Sequence, residues 1–178
     1  MKPLILASTS PQRSAILTQL GIPFEIVAPP YVETRGGDPL EHAVGKARSV
    51  DGGGRLVLGV DTVVLLGDDV IGKPEDAAGA RRMLERLSGR THEVVSGLCL
   101  RGPGWEELHS ETTHVSFCEL TSVELDDYVA GGEWEGRAGG YAIQGRGAAL
   151  VERIDGDYLN VVGLPGALLV RLLREHAG

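Results

Sequence analysis

Residues 2–21 read KPLILASTSPQRSAILTQLG: an apolar run, a polar turn and a segment with helical spacing of its apolar residues. The apolar run at Lys2–Ala7 is typical of a buried strand. Ser10 is a good N-cap and Pro11 a good first helical residue, while Gly21 suits the end of a helix. The stretch therefore predicts a strand, a turn and a helix in succession.

The rest of the chain continues this alternation. Strands are predicted at Phe24–Val27, Leu56–Leu66, Val70-Ile71, Thr91–Leu100, Glu111–Leu120 and Ala148–Ile154. Helices are predicted at Leu40–Val50, at Asp76–Leu87, after the capping box at Thr121–Glu124, and at Leu164–His176. Tyr31–Pro39 and Gly131–Gly147 are expected to be irregular. We therefore expect a single α/β domain over residues 1–178, with a mixed β-sheet flanked by helices.

The composition favours a globular cytoplasmic protein. Hydrophobic residues make up 42% of the 178, and only 4% are aromatic, so aliphatic side chains must build the core. The net charge of −8 argues against a general nucleic-acid or membrane-surface binder. Cys99 and Cys118 lie apart in strand-like runs and are expected to be buried, reduced thiols. No apolar run suits a signal peptide or a membrane helix, so we expect a cytoplasmic location.

The turn between the first strand and helix is a candidate phosphate site. A helix N-terminus offers free N–H groups and a positive dipole end, and Ser8 and Ser10 add hydroxyls. Arg13 lies in the first helical turn, where a cation is disfavoured unless an anion is bound. The alternative, a capped helix with a solvated arginine, is the commoner explanation for this segment taken alone.

Asp61 interrupts an otherwise almost purely apolar strand. A buried, unpaired carboxylate is costly, so Asp61 should hold a cation or face a cleft from the end of a strand. The alternative is a structural aspartate that accepts hydrogen bonds from backbone N–H groups.

Residues 67–73 read GDDVIGK, which has the spacing of a phosphate-binding P-loop. Pro74 follows where a serine or threonine would reach the metal, and two aspartates would repel phosphate. The segment suits a hairpin better, so we reject the P-loop. Lys73 follows this hairpin, which is rooted near Asp61, and is either a site lysine or a solvated surface lysine.

The histidines are weaker candidates. His42, His92, His109, His114 and His176 show no metal-binding spacing, so each is expected to be structural or exposed. Two cysteines make no zinc cluster, and the absence of a GxSxG motif disfavours a serine hydrolase.

Taken in order, these segments resemble the Maf family of nucleotide pyrophosphatases over nearly the whole chain. The resemblance lies in Leu4–Arg13, Glu33-Thr34, Lys46-Ala47, Gly59–Val64, Gly72-Lys73-Pro74, Leu87-Ser88-Gly89 with His92, Gly139–Gly145 and Val162–Pro165. Val60 stands where alanine or serine is commoner in the family.

The resemblance implies an elongated fold of two lobes with a central cleft, often as a homodimer. It implies hydrolysis of nucleoside triphosphates to a monophosphate and pyrophosphate, with Mg²⁺ or Mn²⁺. Glu33 and Asp61 would place this metal, and Asp61 would also orient or deprotonate the attacking water. Arg13, Lys46 and the catalytic Lys73 would neutralise phosphate oxygens, with the Ser8/Ser10 turn donating hydrogen bonds.

Base preference in the family tracks three positions, here Gln12, Thr62 and Gln144. Thr62 and Gln144 resemble the branch that acts on dTTP and UTP, whereas Gln12 replaces the arginine common there. Two other functions are open: a non-catalytic nucleotide-binding regulator of septum formation and cell division, and a nucleotidyltransferase that needs an acceptor. The presence of Glu33, Asp61 and Lys73 favours the hydrolase over a simple binding protein.

Overall fold

A computed structural model of the protein describes residues 2–34 and 36–176. Its strands are β1 (Leu4–Leu6), β2 (Phe24–Ile26), β3 (Val57–Leu66), β4 (Asp69–Ile71), β5 (Thr91–Gly102), β6 (Trp105–Phe117) and β7 (Val151–Asp155). Its α-helices are α1 (Pro11–Gln19), α2 (Pro39–Arg48), α3 (Ala77–Leu87), α4 (Ser122–Ala130), α5 (Tyr158–Val162) and α6 (Gly166–Glu175). Short 3₁₀ helices cover Ala138–Gly140 and Arg146–Leu150.

The seven strands form one mixed sheet. Their order is β2-β1-β3-β5-β6-β7, and β4 pairs with β3. β1 is parallel to both β2 and β3, whereas the pairs β3–β4 and β6–β7 are antiparallel. The predicted α/β class with a mixed sheet and flanking helices is confirmed.

The chain forms two compact units. The first comprises Met1–Thr62, Val95–Glu111 and Leu159–Gly178, and the second comprises Val63–Val94 and Thr112–Tyr158. The single domain over residues 1–178 and the central cleft stay predictions.

Alternate side chains of β1 enter two cores of the first unit. Leu4 and Leu6 belong to a cluster with residues of α1 and α6, of which Ile16, Leu17, Leu168, Leu169 and Leu172 are buried. Ile5 and Ala7 belong to a second cluster, which includes Ala43 and Ala47 of α2. Successive side chains of a strand point to opposite faces, so β1 is buried on both.

β3 follows the same alternation, and this places Asp61. Leu58 and Val60 lie in the cluster of α1 and α6, so Gly59 and Asp61 face the other way, toward α2. At Gly59 the two backbones are so close that a β-carbon would overlap the carbonyl oxygen of Ala43. The glycine therefore lets α2 lie directly against the strand that carries the carboxylate.

In the second unit, α3 packs against α4. α4 begins at the predicted capping box, in which Thr121 accepts from the backbone N–H of Glu124 and the Glu124 carboxylate accepts from that of Thr121. Buried residues of this unit include Val64, Ile71, Ala80, Leu84, Val115 and Leu125. The helices thus cover an aliphatic core, as the low aromatic content predicts.

Three rings pack edge to face within the second unit. The ring centroid of His92 lies 5.1 Å from that of Phe117 and 5.5 Å from that of Tyr141, and the centroids of Phe117 and Tyr141 lie 4.8 Å apart. His92 Nε2 lies 2.7 Å from the Tyr141 hydroxyl, and burial lowers the pKa of His92 to about 4. The ring is therefore neutral at physiological pH, and the prediction that His92 is structural is confirmed.

The segment with P-loop spacing is a hairpin, as predicted. Leu66 of β3 pairs with Asp69 of β4, and Gly67 between them has a φ of +60°, which favours glycine. A P-loop would instead connect a strand to a helix. The rejection of the P-loop is confirmed.

Some element boundaries differ from the predictions. β6 begins at Trp105 instead of Glu111, because Gly104, with a φ of +82°, makes a tight turn directly after β5. β7 begins at Val151 because a 3₁₀ helix occupies the preceding residues. Helix α5 was not predicted, since five residues carry too little periodicity.

The cysteines are free, as predicted. Cys99 is buried, and burial raises the pKa of its thiol to about 11, whereas Cys118 is only partly buried. None of the described helices is long and apolar enough to span a bilayer.

The contact at Gly59 yields a stability prediction. We expect Gly59→Ala to lower the free energy of unfolding by about 1–3 kcal/mol, since the new methyl group must push α2 away from β3. Urea denaturation of the pure variant measures this change. Gly72→Ala is the matched control, because a β-carbon there meets no atom within 4 Å. Equal stability of both variants would contradict the close approach of α2 to β3.

Candidate active site

Asp61 is a buried carboxylate paired with a buried cation. The residue is 8% exposed and Lys46 is 5% exposed. Lys46 Nζ donates to Asp61 Oδ1 at 2.8 Å and to the carbonyl oxygen of Val60 at 3.3 Å. The sequence left two possibilities for a functional Asp61, a held cation or a position facing a cleft. The structure shows a held cation, which is a lysine of the same unit.

Helix α2 presents two polar side chains to Asp61. It begins after Asp38, whose side chain accepts from the N–H of Leu40 at 3.0 Å. His42 and Lys46 are four residues apart and so share one face of the helix. His42 Nδ1 lies 3.2 Å from Asp61 Oδ2. Both oxygens of the Asp61 carboxylate therefore have partners on α2.

Sequence reasoning missed His42. It was expected to be structural or exposed, whereas it is 4% exposed and in contact with the central carboxylate. The available signal was its spacing from Lys46, because a residue four positions earlier on a helix lies above the same surface.

The loop before α2 brings a second carboxylate to Lys46. Glu33 Oε1 lies 2.5 Å from Lys46 Nζ, although the Glu33 side chain is 51% exposed. The ring of Tyr31 covers Gly45 so closely that a β-carbon at this glycine would overlap it. The predicted loop Tyr31–Pro39 includes Arg35, which lies outside the described residues. Tyr31 and Glu33 thus fix the start of this loop on α2.

The side chains around Lys46 suit a divalent cation. Glu33, His42 and Asp61 each offer one ligand atom, and these atoms all lie within 4.8 Å of one another. Two carboxylates and an imidazole are a normal donor set for a first-row divalent ion. Glu33 and Asp61, the two predicted metal ligands, therefore lie in one cluster.

Ser8 and Arg13 form the predicted polar turn. Ser8 Oγ accepts from the backbone N–H of Ser10 at 3.2 Å and from Arg13 NH1 at 3.0 Å. These two donors use both lone pairs of the oxygen, so the Ser8 hydroxyl can act toward a further group only as a donor. Ser10 caps no N–H with its side chain, but donates from Oγ to Gln12 Oε1 at 2.8 Å.

Arg13 is 9% exposed, so the solvated arginine considered from the sequence is wrong. Its Nε donates to the carbonyl oxygen of Gly163 at 3.0 Å, and its NH2 group donates to Thr62 Oγ1 at 3.4 Å. Burial lowers the pKa of Arg13, and the charges of Asp61 and Glu33 act in the opposite direction. The guanidinium is thus held near both carboxylates without a direct ion pair to either among the described residues.

Thr62 supports Arg13 from the strand. Its Oγ1 lies 2.8 Å from Ser96 Oγ and donates to the carbonyl oxygen of Gly163 at 3.3 Å. Gly163 has a φ of +135°, a conformation that favours glycine. Sequence reasoning missed Ser96, which is completely buried, and found no role for Gly163. The contacts of Thr62 are those of a positioning residue for Arg13.

The remaining predicted site residues belong to the second unit. Lys73 follows β4, and Gln144 lies between the two 3₁₀ helices. Both side chains are exposed. Their place in the same site as Arg13, Lys46 and Asp61 stays a prediction.

The clustered residues coincide with the segments that resemble one family. Residues 3–176 match the family model described as Maf-like protein. The chain belongs to the Maf family.

Curated relatives match this Maf protein over nearly the whole of both chains. It is 44% identical to the dTTP/UTP pyrophosphatase of Koribacter versatilis, over 97% of this chain and 93% of that protein. It is 44% identical to the dTTP/UTP pyrophosphatase of Bacillus cytotoxicus, over 98% of this chain and 96% of that protein. It is 45% identical to the protein of the same name from Symbiobacterium thermophilum, over 98% of this chain and 94% of that protein.

The network around Thr62 yields a second stability prediction. Thr62→Val keeps the shape of the side chain but leaves Ser96 and Arg13 without the shared hydroxyl. We expect a loss of about 1–3 kcal/mol in the free energy of unfolding. Thr62→Ser restores the hydroxyl and should recover most of it. Urea denaturation compares the variants, and a Thr62→Val protein as stable as wild type would show that this hydroxyl does not hold Arg13.

Proposed function

We propose that this Maf protein hydrolyses nucleoside triphosphates between the α- and β-phosphates, releasing a monophosphate and pyrophosphate, with dTTP and UTP preferred. The relatives named dTTP/UTP pyrophosphatase support this activity through 44–45% identity over nearly the whole chain. The observation that carries it is the cluster of Asp61, Lys46 and Glu33, with the buried Arg13 near both carboxylates.

The protein groups that we propose to bind phosphate are the buried cations of the first unit. Arg13 is oriented by Ser8, Thr62 and Gly163, so its charge is fixed before substrate binds. Such preorganised charge stabilises a transition state at little reorganisation cost. We propose that Arg13 and Lys46 neutralise phosphate oxygens and that Lys73 adds a third cation. Ser8 would donate a hydrogen bond through its hydroxyl, and Ser10 would do so by exchanging Gln12 Oε1 for a phosphate oxygen.

Asp61 is the proposed general base. It is the buried carboxylate of the cluster, and α2 holds both its oxygens in place. A carboxylate fixed in this way can orient a water molecule and accept its proton during attack on phosphorus. We propose that Asp61 does so, with Glu33 as the second acidic group.

Glu33 and Asp61 are the proposed holders of a divalent cation, Mg²⁺ or Mn²⁺. Such an ion, when bound, neutralises phosphate charge and makes water more acidic. Lys46 contacts the same two carboxylates and would share them with that ion.

The base preference is proposed to depend on Gln144 and Gln12. An amide has a donor and an acceptor, so Gln144 can pair with the O4/N3–H edge shared by uracil and thymine. Gln12 is half-buried beside Ser10 and adds a second amide. Thr62 is proposed to act on the base only indirectly, through Arg13. The cytoplasmic location and the homodimer also stay predictions.

Product analysis tests this function. We expect pure protein with Mg²⁺ or Mn²⁺ and no acceptor to convert dTTP and UTP to monophosphate and pyrophosphate, faster than ATP or GTP. Removing the metal with EDTA should stop the reaction, since both the charge of the triphosphate and the acidity of water depend on it. Chromatography identifies the products. Glu33→Gln, purified in the same way, should lose the activity because it lacks a proposed metal ligand. Activity that persists unchanged in this variant would point to a contaminating phosphatase.

Each alternative has its own outcome. Diphosphate and orthophosphate as products would contradict cleavage between the α- and β-phosphates. Binding without turnover would indicate the non-catalytic regulator, and strict dependence on an acceptor would indicate a nucleotidyltransferase. Purines preferred by tenfold or more, about 1.4 kcal/mol, would contradict the base preference alone.

A further inference from the structure

His42 has no part in the function proposed above, although it is buried in the proposed metal cluster. Its Nδ1 lies 3.2 Å from Asp61 Oδ2, and its Nε2 lies 3.2 Å from Thr34 Oγ1. Lys46 occupies the other oxygen of Asp61. The imidazole thus faces the carboxylate oxygen that the lysine leaves open.

The spacing of these atoms suits two ligands of one ion. Divalent ions bind imidazole nitrogen and carboxylate oxygen at about 2.0–2.2 Å, so neighbouring ligands at roughly right angles lie about 3 Å apart. His42 Nδ1 and Asp61 Oδ2 already have this separation. A ligand atom of Glu33 lies within 4.8 Å of both.

The contact between His42 Nε2 and Thr34 Oγ1, on the side of the ring away from Asp61, also suits a metal ligand. A ligating histidine commonly donates its second ring N–H to an oxygen atom, which fixes the tautomer and the orientation of the ring. Without an ion, Nδ1–H donates to Asp61 Oδ2 and Nε2 can accept from the Thr34 hydroxyl. With an ion on Nδ1, the ring carries its hydrogen on Nε2 and can donate it to Thr34 Oγ1. Thr34 follows Glu33 directly, so one loop supplies a carboxylate ligand and orients the imidazole.

Packing holds the ring in this position. A β-carbon at Gly37 would overlap His42 Nε2, so the glycine lets the loop backbone lie against the imidazole. The ring centroid of Tyr31 lies 5.9 Å from that of His42. An imidazole restrained in this way loses little conformational freedom when it binds an ion.

We propose that His42 binds the divalent metal through Nδ1 as a third ligand beside Glu33 and Asp61. Imidazole favours Mn²⁺, Co²⁺, Ni²⁺ and Zn²⁺ over Mg²⁺, which prefers oxygen ligands and retains its water. The chain's metal selectivity is therefore shifted toward the transition metals. This inference rests on the metal site of the proposed function.

Pulsed electron paramagnetic resonance with Mn²⁺ alone tests the inference without turnover. With one equivalent of Mn²⁺ bound to the full chain, we expect a coupling from one directly bound ¹⁴N nucleus. His42→Asn should abolish this coupling, because asparagine keeps a polar group near the position of Nδ1 but removes the imidazole. Calorimetry should show Mn²⁺ binding weakened by about 10–100-fold in this variant, and Mg²⁺ binding changed by less than about 3-fold.

His109→Asn is the matched control. His109 also lies 3.1 Å from a carboxylate, that of Glu107, but outside the cluster, so this variant should keep both the coupling and the affinity. If His42→Asn does not fold, Thr34→Val retains the imidazole and should keep the coupling while weakening Mn²⁺ binding by about 10-fold.

Three results would overturn the inference: no Mn²⁺ binding to the free protein, Mn²⁺ bound without nitrogen coupling, or coupling unchanged in His42→Asn. Because neither measurement uses nucleotide, failure of the inference is distinguishable from failure of the proposed hydrolysis. An active enzyme whose Mn²⁺ shows only oxygen ligands would keep the function and remove His42 from it.

Discussion

The buried ion pair between Asp61 of β3 and Lys46 of α2 is the interaction on which the candidate site depends. Removing a carboxylate and an ammonium from water is costly, and their attraction compensates only with good geometry and additional hydrogen bonds. Here Lys46 also contacts Glu33 and the carbonyl oxygen of Val60, and Asp61 also contacts His42. In proteins generally, a well-packed apolar pair often stabilises a fold as well as a buried ion pair does, so the proposed chemistry of the site is the better reason for these charges.

This pair constrains the elements around it. Asp61 can meet α2 only if the helix lies flat against β3, which Gly59 permits because its backbone contacts that of Ala43. Glu33 can meet Lys46 only if the preceding loop lies against the helix, and Tyr31 packs on Gly45 for this reason. Close approach at small residues thus places polar groups that helices and strands alone would leave apart.

Sequence reasoning succeeded where the determining interactions are local. Ser10 and Pro11 mark the start of α1, and the lone carboxylate of Asp61 in an apolar strand predicted either a cation partner or a position facing a cleft. It failed where the partner is distant along the chain. His42 shares a helix face with Lys46, but its partner Asp61 lies 19 residues further along the chain, so its contact with the carboxylate was not recognised. Ser96 and Gly163 meet Thr62 from positions 34 and 101 residues away, and no local pattern marks them.

The most direct measurement is the turnover of Asp61→Asn, with Asp38→Asn as the matched control. Both variants replace a carboxylate by an amide, but Asp38 caps α2, a position that asparagine serves equally well. The circular dichroism of both variants should match that of the wild type. The asparagine at position 61 keeps an oxygen that can accept from Lys46, and the asparagine at position 38 can still cap α2. If Asp61 is the general base, kcat for UTP falls by about 10²–10⁴-fold in Asp61→Asn and stays near the wild-type value in Asp38→Asn. A folded Asp61→Asn protein with near-normal kcat would show that Asp61 is structural and that the proposed mechanism is wrong.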